Sequence, residues 1–277
     1  MRGCDSNEQA HSLAITREGE DNVKLQGKTA VITGAASGMG RGTCEELVGA
    51  GVNVLAMDVR EDKLKELCLA LGTRAMYAVA DVIDSQAVEL AVAKAMTQFG
   101  AINICVNCAG MPAASKTISR DGAPQSLEIF RRVVDVNLNG TFNVLRVCAA
   151  AMVKNSPEDG ERGVIINTSS GAAQDGQAGQ AAYSASKAGV EALALPIARD
   201  LAAYGIRVNT ISPGLFDTTM VGSLPEKVRA SLIEMVLWPK RMGLPADYAR
   251  LVRHIIENVY INTSVIRLDA GIRLAAK

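Results

Sequence analysis

The sequence has only two histidines, His11 and His254, among its 277 residues. So few histidines argue against a histidine general base and against a metal site built from histidines. Any general base must come from Tyr, Lys, Cys or a carboxylate. Lys and Arg together number 29, and so do Asp and Glu, which gives a formal net charge of zero. This balance argues against nucleic acid or an anionic membrane as the main partner, because both favour a basic surface.

Long apolar runs are also missing, since none approaches the roughly 18 residues of a membrane span. The first 26 residues are polar and contain acidic side chains such as Asp5, Glu8 and Glu18. They lack both the apolar core of a secretory signal and the acid-poor, Arg-rich character of a transit peptide. We therefore expect a flexible tail over residues 1–26, one domain over residues 27–277, and a cytoplasmic location.

The cysteines predict no metal site. Cys105 and Cys108 have C-x-x-C spacing, but they belong to a predicted strand and the residue after it. Side chains alternate along a strand, so residues three apart point to opposite faces. No second pair is available to complete a zinc site, and scattered thiols in apolar segments are typical of a reducing compartment. The six cysteines are Cys4, Cys44, Cys68, Cys105, Cys108 and Cys148.

Short runs rich in Val and Ile alternate with longer helical segments from Lys28 onward. The strand candidates look buried on both faces, and the βαβ rhythm predicts an α/β fold: a single-domain, Rossmann-type, doubly wound parallel sheet of about seven strands with helices on both faces. The segment Phe216–Gly243 breaks the rhythm and is a candidate lid over a ligand. The predicted strands are Thr29–Thr33, Asn53–Met57, Ala75–Ala80, Ile102–Asn107, Val164–Thr168, Arg207–Ile211 and Val265–Leu268. The predicted helices are Met39–Ala50, Glu61–Leu71, Ser85–Phe99, Ser126–Val153, Ala181–Tyr204 and Ala246–Asn258.

A glycine-rich loop follows the first predicted strand and opens a helix. Glycines allow a tight turn and close approach to a pyrophosphate, and the helix N-terminus offers free N–H groups to the anion. The spacing is G-x-x-x-G-x-G, not the commoner G-x-G-x-x-G, and glycines also mark ordinary turns. The order strand, loop, helix, strand nevertheless favours dinucleotide binding. The candidate residues are Gly34, Ser37, Gly38, Met39 and Gly40.

Asp58 ends the second predicted strand. A carboxylate at this point is the expected acceptor for the adenosine ribose hydroxyls, and it would repel the 2′-phosphate of NADP. NAD is therefore the predicted cofactor. Arg60 is close enough in sequence to soften this preference, or it is simply a solvated residue at the start of a helix.

Tyr183 and Lys187 are four residues apart in an Ala-rich predicted helix, so their side chains share a face. Such a pair is common by chance and is often solvent-exposed. Here Ser169 and Ser170 end a buried predicted strand at the carboxyl edge of the sheet, where open α/β sheets bind ligands. The glycine-rich loop would bring a nicotinamide to the same edge.

Together these motifs resemble the short-chain dehydrogenase/reductase family over about residues 25–277. The family's serine lies thirteen residues before its tyrosine, which selects Ser170 over Ser169. The resemblance implies that Asp81 and Val82 lie beside the adenine. It also implies further cofactor contacts from Cys108, Ala109, Gly110, Tyr183, Lys187, Pro213, Phe216 and Thr218.

The resemblance further implies a catalytic set of Asn137, Ser170, Tyr183 and Lys187. Tyr183 would be the base in alcohol oxidation and the acid in ketone reduction. Lys187 and the positive nicotinamide would lower its pKa, and Lys187 would also bind the nicotinamide ribose. Ser170 would hold the substrate oxygen. Asn137 would hold a water in a proton relay, unless it is a structural residue that kinks its helix.

Within the family, the chain is similar to the type 2 subfamily of 3-hydroxyacyl-CoA dehydrogenases. The similarity rests on N-C-A-G at Asn107–Gly110, where the family usually has N-N-A-G, on the run Ala114–Thr117 within the segment Met111–Gln125, and on Gly179–Tyr183. Asp217 departs from the subfamily, which has a small residue there. The resemblance implies NAD-dependent oxidation of 3-hydroxyacyl-CoA. The alternatives are a hydroxysteroid or other secondary-alcohol dehydrogenase, a 3-oxoacyl-carrier-protein reductase, and a non-catalytic NAD-binding scaffold.

The candidate lid suits an acyl chain or a steroid, because its side chains are mainly apolar. They could instead pack against the domain or another subunit. Small residues in two predicted helices, such as Ala149 and Ala192, favour a homo-oligomer or packing on the chain's own sheet, and the resemblance suggests a tetramer. The apolar lid residues are Leu215, Phe216, Met220, Val221, Leu224, Leu237 and Trp238. The cations available for CoA phosphates, unless merely solvated, are Lys116, Arg120, Lys227, Arg229 and Lys240.

Overall fold

The computed structural model describes residues 25–218 and 226–276. Seven parallel strands form one sheet in the order β3-β2-β1-β4-β5-β6-β7, so the strand order reverses between β1 and β4. Such a reversal opens a crevice at the carboxyl edge of the sheet. The predicted Rossmann-type doubly wound sheet is confirmed. The strands are β1 (Thr29–Thr33), β2 (Asn53–Asp58), β3 (Ala75–Val79), β4 (Ile104–Asn107), β5 (Gly163–Thr168), β6 (Ile206–Pro213) and β7 (Val265–Leu268).

Helices cover both faces of the sheet, because the strands alternate their apolar side chains between two cores. Val31 and Cys105 belong to one core, with residues of α3, α5 and α6. Ile32 and Val106 belong to the other, with residues of α1, α2 and α8, and Cys108 packs on that side. Cys105 and Cys108 therefore lie on opposite faces, as predicted. The helices are α1 (Gly38–Gly49), α2 (Glu61–Leu71), α3 (Ser85–Phe99), α4 (Leu127–Val134), α5 (Gly140–Met152), α6 (Ala181–Leu201), α7 (Glu226–Glu234) and α8 (Pro245–Glu257).

The predicted helix Ser126–Val153 is not continuous. A π-helical turn, Asp135–Asn139, separates α4 from α5. The wider turn accompanies an inward-facing Asn137, whose amide bonds the backbone of Met111 and the hydroxyl of Ser186. Short π turns inside α-helices are often found at functional sites. Helical periodicity alone does not reveal this interruption.

Two predicted strands are less buried than expected. β3 and β7 are the edge strands of the sheet, and their residues are mostly intermediate in exposure. An edge strand has only one neighbouring strand, so part of its length stays open to solvent. The expectation of burial on both faces holds for β1 and β5 but is wrong for these two strands.

Parts of the predicted tail and lid lie outside the described residues, namely residues 1–24 and 219–225. Leu25, the first described residue, is buried in the core beside β1. The two ends of the candidate lid are joined by a bridge between Phe216 and Gly243. Over the ranges 25–218 and 226–276, no helix is long and apolar enough to cross a membrane. The domain boundary at residue 27 stays a prediction.

Candidate active site

Two glycines of the glycine-rich segment, Gly34 before α1 and Gly40 in its first turn, approach the neighbouring backbone too closely to carry a side chain. A Cβ on Gly40 would lie 2.3 Å from the carbonyl oxygen of Gly34, and a Cβ on Gly34 would lie 2.8 Å from the backbone nitrogen of Ala109. Gly34 and Gly38 also have φ values of 65° and 53°, which glycine adopts without strain. Ser37 caps α1 without a side-chain bond to the helix backbone, so it leaves the helix N-terminus available to an anion.

A cavity of about 400 Å³ opens beside this loop, at the carboxyl ends of β1 to β4. Its position at the carboxyl edge of the sheet and the free N–H groups at the start of α1 are the features expected of a dinucleotide site. Its walls also include Met57, Val59, Ala80, Met111 and Val136, which sequence reasoning did not single out. Twelve predicted cofactor residues line it: Gly34, Ser37, Gly38, Met39, Gly40, Asp58, Asp81, Val82, Cys108, Ala109, Gly110 and Thr218.

Asp58 lies in this wall with its side chain only 8% exposed. One carboxylate oxygen accepts a hydrogen bond from the backbone N–H of Ala36 at 3.2 Å, and the other accepts from the Nε of Arg60 at 3.2 Å. Arg60 also donates from Nη2 to the Oγ of Ser37 at 2.8 Å. Arg60 is therefore not simply solvated: it bridges the carboxylate and the phosphate loop at the rim of the cavity.

A second arginine in the cavity wall, Arg132 on α4, was missed by sequence reasoning. Its Nη2 lies 3.1 Å from a carboxylate oxygen of Asp81. The two residues are 51 positions apart and share no motif, so only the folded topology brings them together. The cavity thus has a carboxylate–arginine pair at Asp58 and another at Asp81.

Ser170, Tyr183 and Lys187 meet at the carboxyl end of β5. The Nζ of Lys187 lies 5.9 Å from the centre of the Tyr183 ring. Burial raises the pKa of Tyr183, and the neighbouring Ser170 hydroxyl opposes that rise. Burial lowers the pKa of Lys187 from its ordinary value of 10.5 to about 8. The Nζ of Lys187 donates to the carbonyl oxygen of Thr168 at 2.8 Å.

The neighbouring serines have different surroundings. The Oγ of Ser169 lies 3.0 Å from the carbonyl oxygen of Lys187 and 2.9 Å from a carboxylate oxygen of Glu191, so it fastens α6 to the end of β5. The Oγ of Ser170 accepts from the N–H of Ala172 at 3.2 Å. Of the two serines, Ser170 is the one that lowers the pKa of the Tyr183 phenol, and its catalytic role stays a prediction.

Asn137 connects the loop after β4 with α6. Its Oδ1 accepts from the N–H of Met111 at 2.8 Å, and its Nδ2 lies 3.1 Å from both the Met111 carbonyl oxygen and the Ser186 Oγ. A Cβ on the intervening Gly110 would lie 3.1 Å from Asn137 Oδ1 and 3.4 Å from Lys187 Nζ. Asn137 therefore has a structural role beside Lys187, and the water relay stays a prediction.

Four predicted cofactor residues do not line the first cavity: Tyr183 and Lys187, described above, and Pro213 and Phe216. Pro213 ends β6, where it pairs with Leu268 of β7, and Phe216 lines a second cavity of about 260 Å³. The Phe216 ring packs edge to face against Tyr248 at 6.5 Å between ring centres. Their contact with a cofactor stays a prediction. In the described part of the chain, no group of three or more His, Cys, Asp or Glu residues could hold a metal ion.

Comparison with known proteins agrees with this geometry. The chain matches the short chain dehydrogenase family over residues 28–229. The human (Homo sapiens) 3-hydroxyacyl-CoA dehydrogenase type-2 is 51% identical over 252 residues, covering 90% of this chain and 97% of that protein. The 3-oxoacyl-(acyl-carrier-protein) reductase FabG of Thermotoga maritima is 33% identical over 257 residues, covering 90% and 99%. The crystal structure of 3-hydroxyacyl-CoA dehydrogenase type-2 from Mycobacterium avium superposes with a TM-score of 0.88 at 38% identity, covering 91% of this chain and 98% of that chain.

The human relative and the solved structure each cover about nine-tenths of the chain. The family match over residues 28–229 includes both the cavity and the Tyr183–Lys187 pair. The chain therefore belongs to the short-chain dehydrogenase/reductase family, and it is an oxidoreductase that uses a nicotinamide cofactor and a small-molecule substrate.

Proposed function

We propose that the protein oxidises short 3-hydroxyacyl-CoA thioesters to 3-oxoacyl-CoA with NAD and catalyses the reverse reduction with NADH. The observation that carries the chemistry is the meeting of Ser170, Tyr183 and Lys187 next to the dinucleotide cavity: a Cβ built on Gly110, a residue of the cavity wall, would lie 3.4 Å from the Lys187 Nζ. The substrate class is supported by the human relative, since its identity of 51% exceeds the 33% of the carrier-protein reductase.

In this proposal a nicotinamide bound in the cavity supplies the hydride acceptor for oxidation and the hydride donor for reduction. Ser170 hydrogen-bonds the substrate oxygen, and Tyr183 removes the hydroxyl proton of the alcohol or returns it to the ketone. Burial raises the pKa of Tyr183 and so opposes formation of the phenolate. A protonated Lys187 at 5.9 Å favours the phenolate, because a nearby positive charge stabilises an anion.

NAD is the proposed form of the cofactor. The Asp58 carboxylate is mostly buried in the cavity wall, where it would accept ribose hydroxyls and repel a 2′-phosphate. Arg60 already pairs with this carboxylate and partly neutralises its negative charge. We therefore expect NAD to bind more tightly than NADP, but we expect NADP to bind as well.

The proposed acyl-CoA path runs past the segment Met111–Gln125. The N–H of Ser115 donates to the carbonyl oxygen of Gly179 at 2.8 Å, which places this segment beside the start of the helix that carries Tyr183. Lys116 and Arg120 are exposed on it and are the proposed contacts for CoA phosphates. Arg229 pairs with Asp217 and Lys240 bonds a carbonyl of α7, so both are partly engaged already.

The test is reduction of acetoacetyl-CoA with NADH by the purified protein. We expect steady turnover, and slower turnover of the same acyl group on a carrier protein. If acetoacetyl-CoA is inert while a hydroxysteroid reduces NAD, the protein is a steroid dehydrogenase. If no alcohol or ketone in a broad panel is turned over, the non-catalytic NAD-binding scaffold replaces the proposal.

We also propose a homotetramer. Ala149, Ala151 and Ala194 are buried in the chain's own core, so the small residues singled out in the sequence do not carry this proposal. Exposed apolar side chains on α4 and α5, among them Leu127 and Phe142, support self-association, and the number of four subunits is what the family resemblance suggests. Light scattering at the monomer mass across micromolar concentrations would refute it. The candidate lid over Phe216–Gly243 and the cytoplasmic location stay predictions.

A further inference from the structure

Tyr248 on α8 is fully buried, and no sequence motif assigns it a role. Its hydroxyl lies 2.7 Å from the Oγ1 of Thr168, the last residue of β5. The Sγ of Cys108, the residue after β4, lies 3.7 Å from that hydroxyl and 3.8 Å from the Thr168 Oγ1. Tyr248 thus places a phenol at the carboxyl ends of the central strands β4 and β5. The side chains of Tyr248, Thr168 and Cys108 form a polar triangle there.

This triangle touches two parts of the active site, and the ring of Tyr248 contacts the candidate lid. The carbonyl oxygen of Thr168 accepts the hydrogen bond from Lys187 Nζ at 2.8 Å. Cys108 lines the cofactor cavity, and its backbone N–H donates to Thr33 Oγ1 at 3.1 Å. The Tyr248 ring itself packs against Phe216. One buried side chain therefore contacts the hydroxyl of Thr168, whose carbonyl accepts from Lys187, a residue of the cofactor wall, and the first residue of the candidate lid.

The triangle acts through geometry and not through charge. Burial raises the pKa of Tyr248, and burial also raises the pKa of Cys108 to about 11, so both groups are neutral near pH 7. A buried hydroxyl left without a partner destabilises the fold, because it has lost its hydrogen bonds to water without gaining another. The 2.7 Å contact is therefore expected to persist and to restrict how Thr168 can move.

We propose that Tyr248 is a positioning residue for hydride transfer: it fixes Thr168 and thereby the carbonyl that orients the Lys187 ammonium. The inference rests on the role given to Lys187 under the proposed function. It requires that loss of the phenol oxygen change the surroundings of Lys187, whereas a purely structural Tyr248 would affect only the stability of the fold.

The first experiment needs neither cofactor nor substrate. The pKa of Lys187 is measured by NMR of lysine-labelled, cofactor-free protein, with Lys187→Arg used to assign the signal. The groups around Lys187 are Tyr183 on its own helix, Cys108 after β4 and the neutral amide of Asn137. In Tyr248→Phe and Thr168→Val we expect this pKa to fall further, because a carbonyl that moves away stabilises the ammonium less.

Conservative variants separate the hydroxyl contact from bulk packing. Thr168→Ser keeps the hydroxyl and should retain the pKa of the unmodified protein, whereas Thr168→Val keeps the shape and should not. Tyr77→Phe, in edge strand β3, removes a phenol oxygen far from the site and serves as the matched control. If Tyr248→Phe does not accumulate as folded protein, the two Thr168 variants still decide the question.

Kinetics give the second readout. With NADH and acetoacetyl-CoA we expect Tyr248→Phe and Thr168→Val each to lower kcat about tenfold, since small misplacements of reacting groups are costly. The KM for NADH should change less than about twofold, because binding does not depend on that alignment. The double variant should be no worse than either single variant, because both remove the same contact.

The outcomes are distinct. Unchanged Lys187 pKa and kcat in Tyr248→Phe, even with a lower melting temperature, would overturn the proposal and leave Tyr248 as a packing residue. Losses that multiply in the double variant would overturn it as well, because the two hydroxyls would then act separately. If the unmodified protein does not reduce acetoacetyl-CoA, the proposed substrate fails, while the Lys187 titration still decides the role of Tyr248.

Discussion

The two halves of the sheet build the active site from different materials. The half from β1 to β4 builds the phosphate loop of the cofactor cavity from glycines and backbone, with charged groups of the cavity wall held in the pairs Asp58–Arg60 and Asp81–Arg132. The half around β5 and α6 relies on a few side chains, chiefly the half-buried Tyr183 and the buried Lys187. The first half should therefore be sensitive to atoms that are added, and the second to atoms that are removed.

The largest effect is expected in the second half. Tyr183→Phe removes one oxygen and keeps the ring, so turnover should fall by about 100-fold or more, the scale of general acid–base catalysis. Fluorescence titration should show NADH binding within a few-fold of the unmodified protein. Tyr204→Phe, on the exposed turn after α6, is the control and should be fully active. A Tyr183→Phe protein with near-normal turnover would place the base elsewhere.

The next effect concerns the stability cost of burying Lys187. Its folded pKa of about 8 is below its ordinary 10.5, so the folded state binds fewer protons between these values. The stability contributed by the neutral amine is thus present above pH 10.5 and lost as the pH falls through 8. Between pH 8 and 10.5 the free energy of unfolding should rise by up to about 3 kcal/mol relative to Lys187→Met.

Urea denaturation of both cofactor-free proteins at several pH values measures this difference, because other titrating groups are common to the two. Lys187→Met should be the more stable protein near pH 7.5, and its advantage should shrink toward pH 10. Parallel curves for the two proteins would show that Lys187 is not strained by its burial.

The first half should respond to a single added methyl group. Alanine is normally better than glycine within a helix by up to about 1 kcal/mol. In Gly40→Ala the methyl would meet the Gly34 carbonyl at 2.3 Å, so we expect the opposite sign, with a loss of about 1–3 kcal/mol. NADH affinity should fall at least about tenfold, since the loop must move from the pyrophosphate site.

Gly49→Ala is the matched control, because Gly49 lies in the same helix with open space around its Cβ position. It should leave NADH affinity unchanged and keep or slightly raise the melting temperature. Equal behaviour of the two variants would mean that the tight loop geometry does not govern cofactor binding.

Much of this architecture was predictable, because alternating apolar strands and helices have few ways to pack. The sequence predicts Thr29–Thr33, Glu61–Leu71 and Val265–Leu268 with their observed bounds. The motif residues of the cofactor loop also line the cavity together, because parallel strands end at one edge of the sheet. Local motifs succeed where the chain itself carries the geometry.

What could not be predicted depends on contacts between distant segments. Arg132 and Tyr248 reach the site only through the packing of α4 and α8, and nothing in their local sequence indicates it. The π turn at Asn137 follows from side-chain bonds to Met111 and Ser186, which periodicity does not encode. The bridging position of Arg60 likewise depends on Ser37, 23 residues away.

The smallest predicted effect concerns the choice between NAD and NADP. It tests how far the cofactor cavity relies on the charge of Asp58. In the unmodified protein NAD should bind better than NADP, because the Asp58 carboxylate repels a 2′-phosphate. Asp58→Asn removes the charge but keeps an acceptor oxygen, so the NADP/NAD affinity ratio should rise by about tenfold, equivalent to roughly 1.4 kcal/mol. Asp58→Ala should reduce the difference between the NAD and NADP affinities in two ways. It removes the charge that repels the 2′-phosphate, and it removes the acceptor of the ribose hydroxyls, which weakens NAD binding.

The released Arg60 would supply part of that gain, since it now donates to Asp58 at 3.2 Å and would then face the added phosphate. The double variant Asp58→Asn with Arg60→Ala should therefore lose much of the improvement. The gain should also shrink at high salt, because Arg60 is 44% exposed and its interaction with phosphate is screened. Isothermal titration with both cofactors at two ionic strengths measures all of these ratios. Equal affinities for NAD and NADP in the unmodified protein would remove Asp58 as the residue that discriminates between the two cofactors.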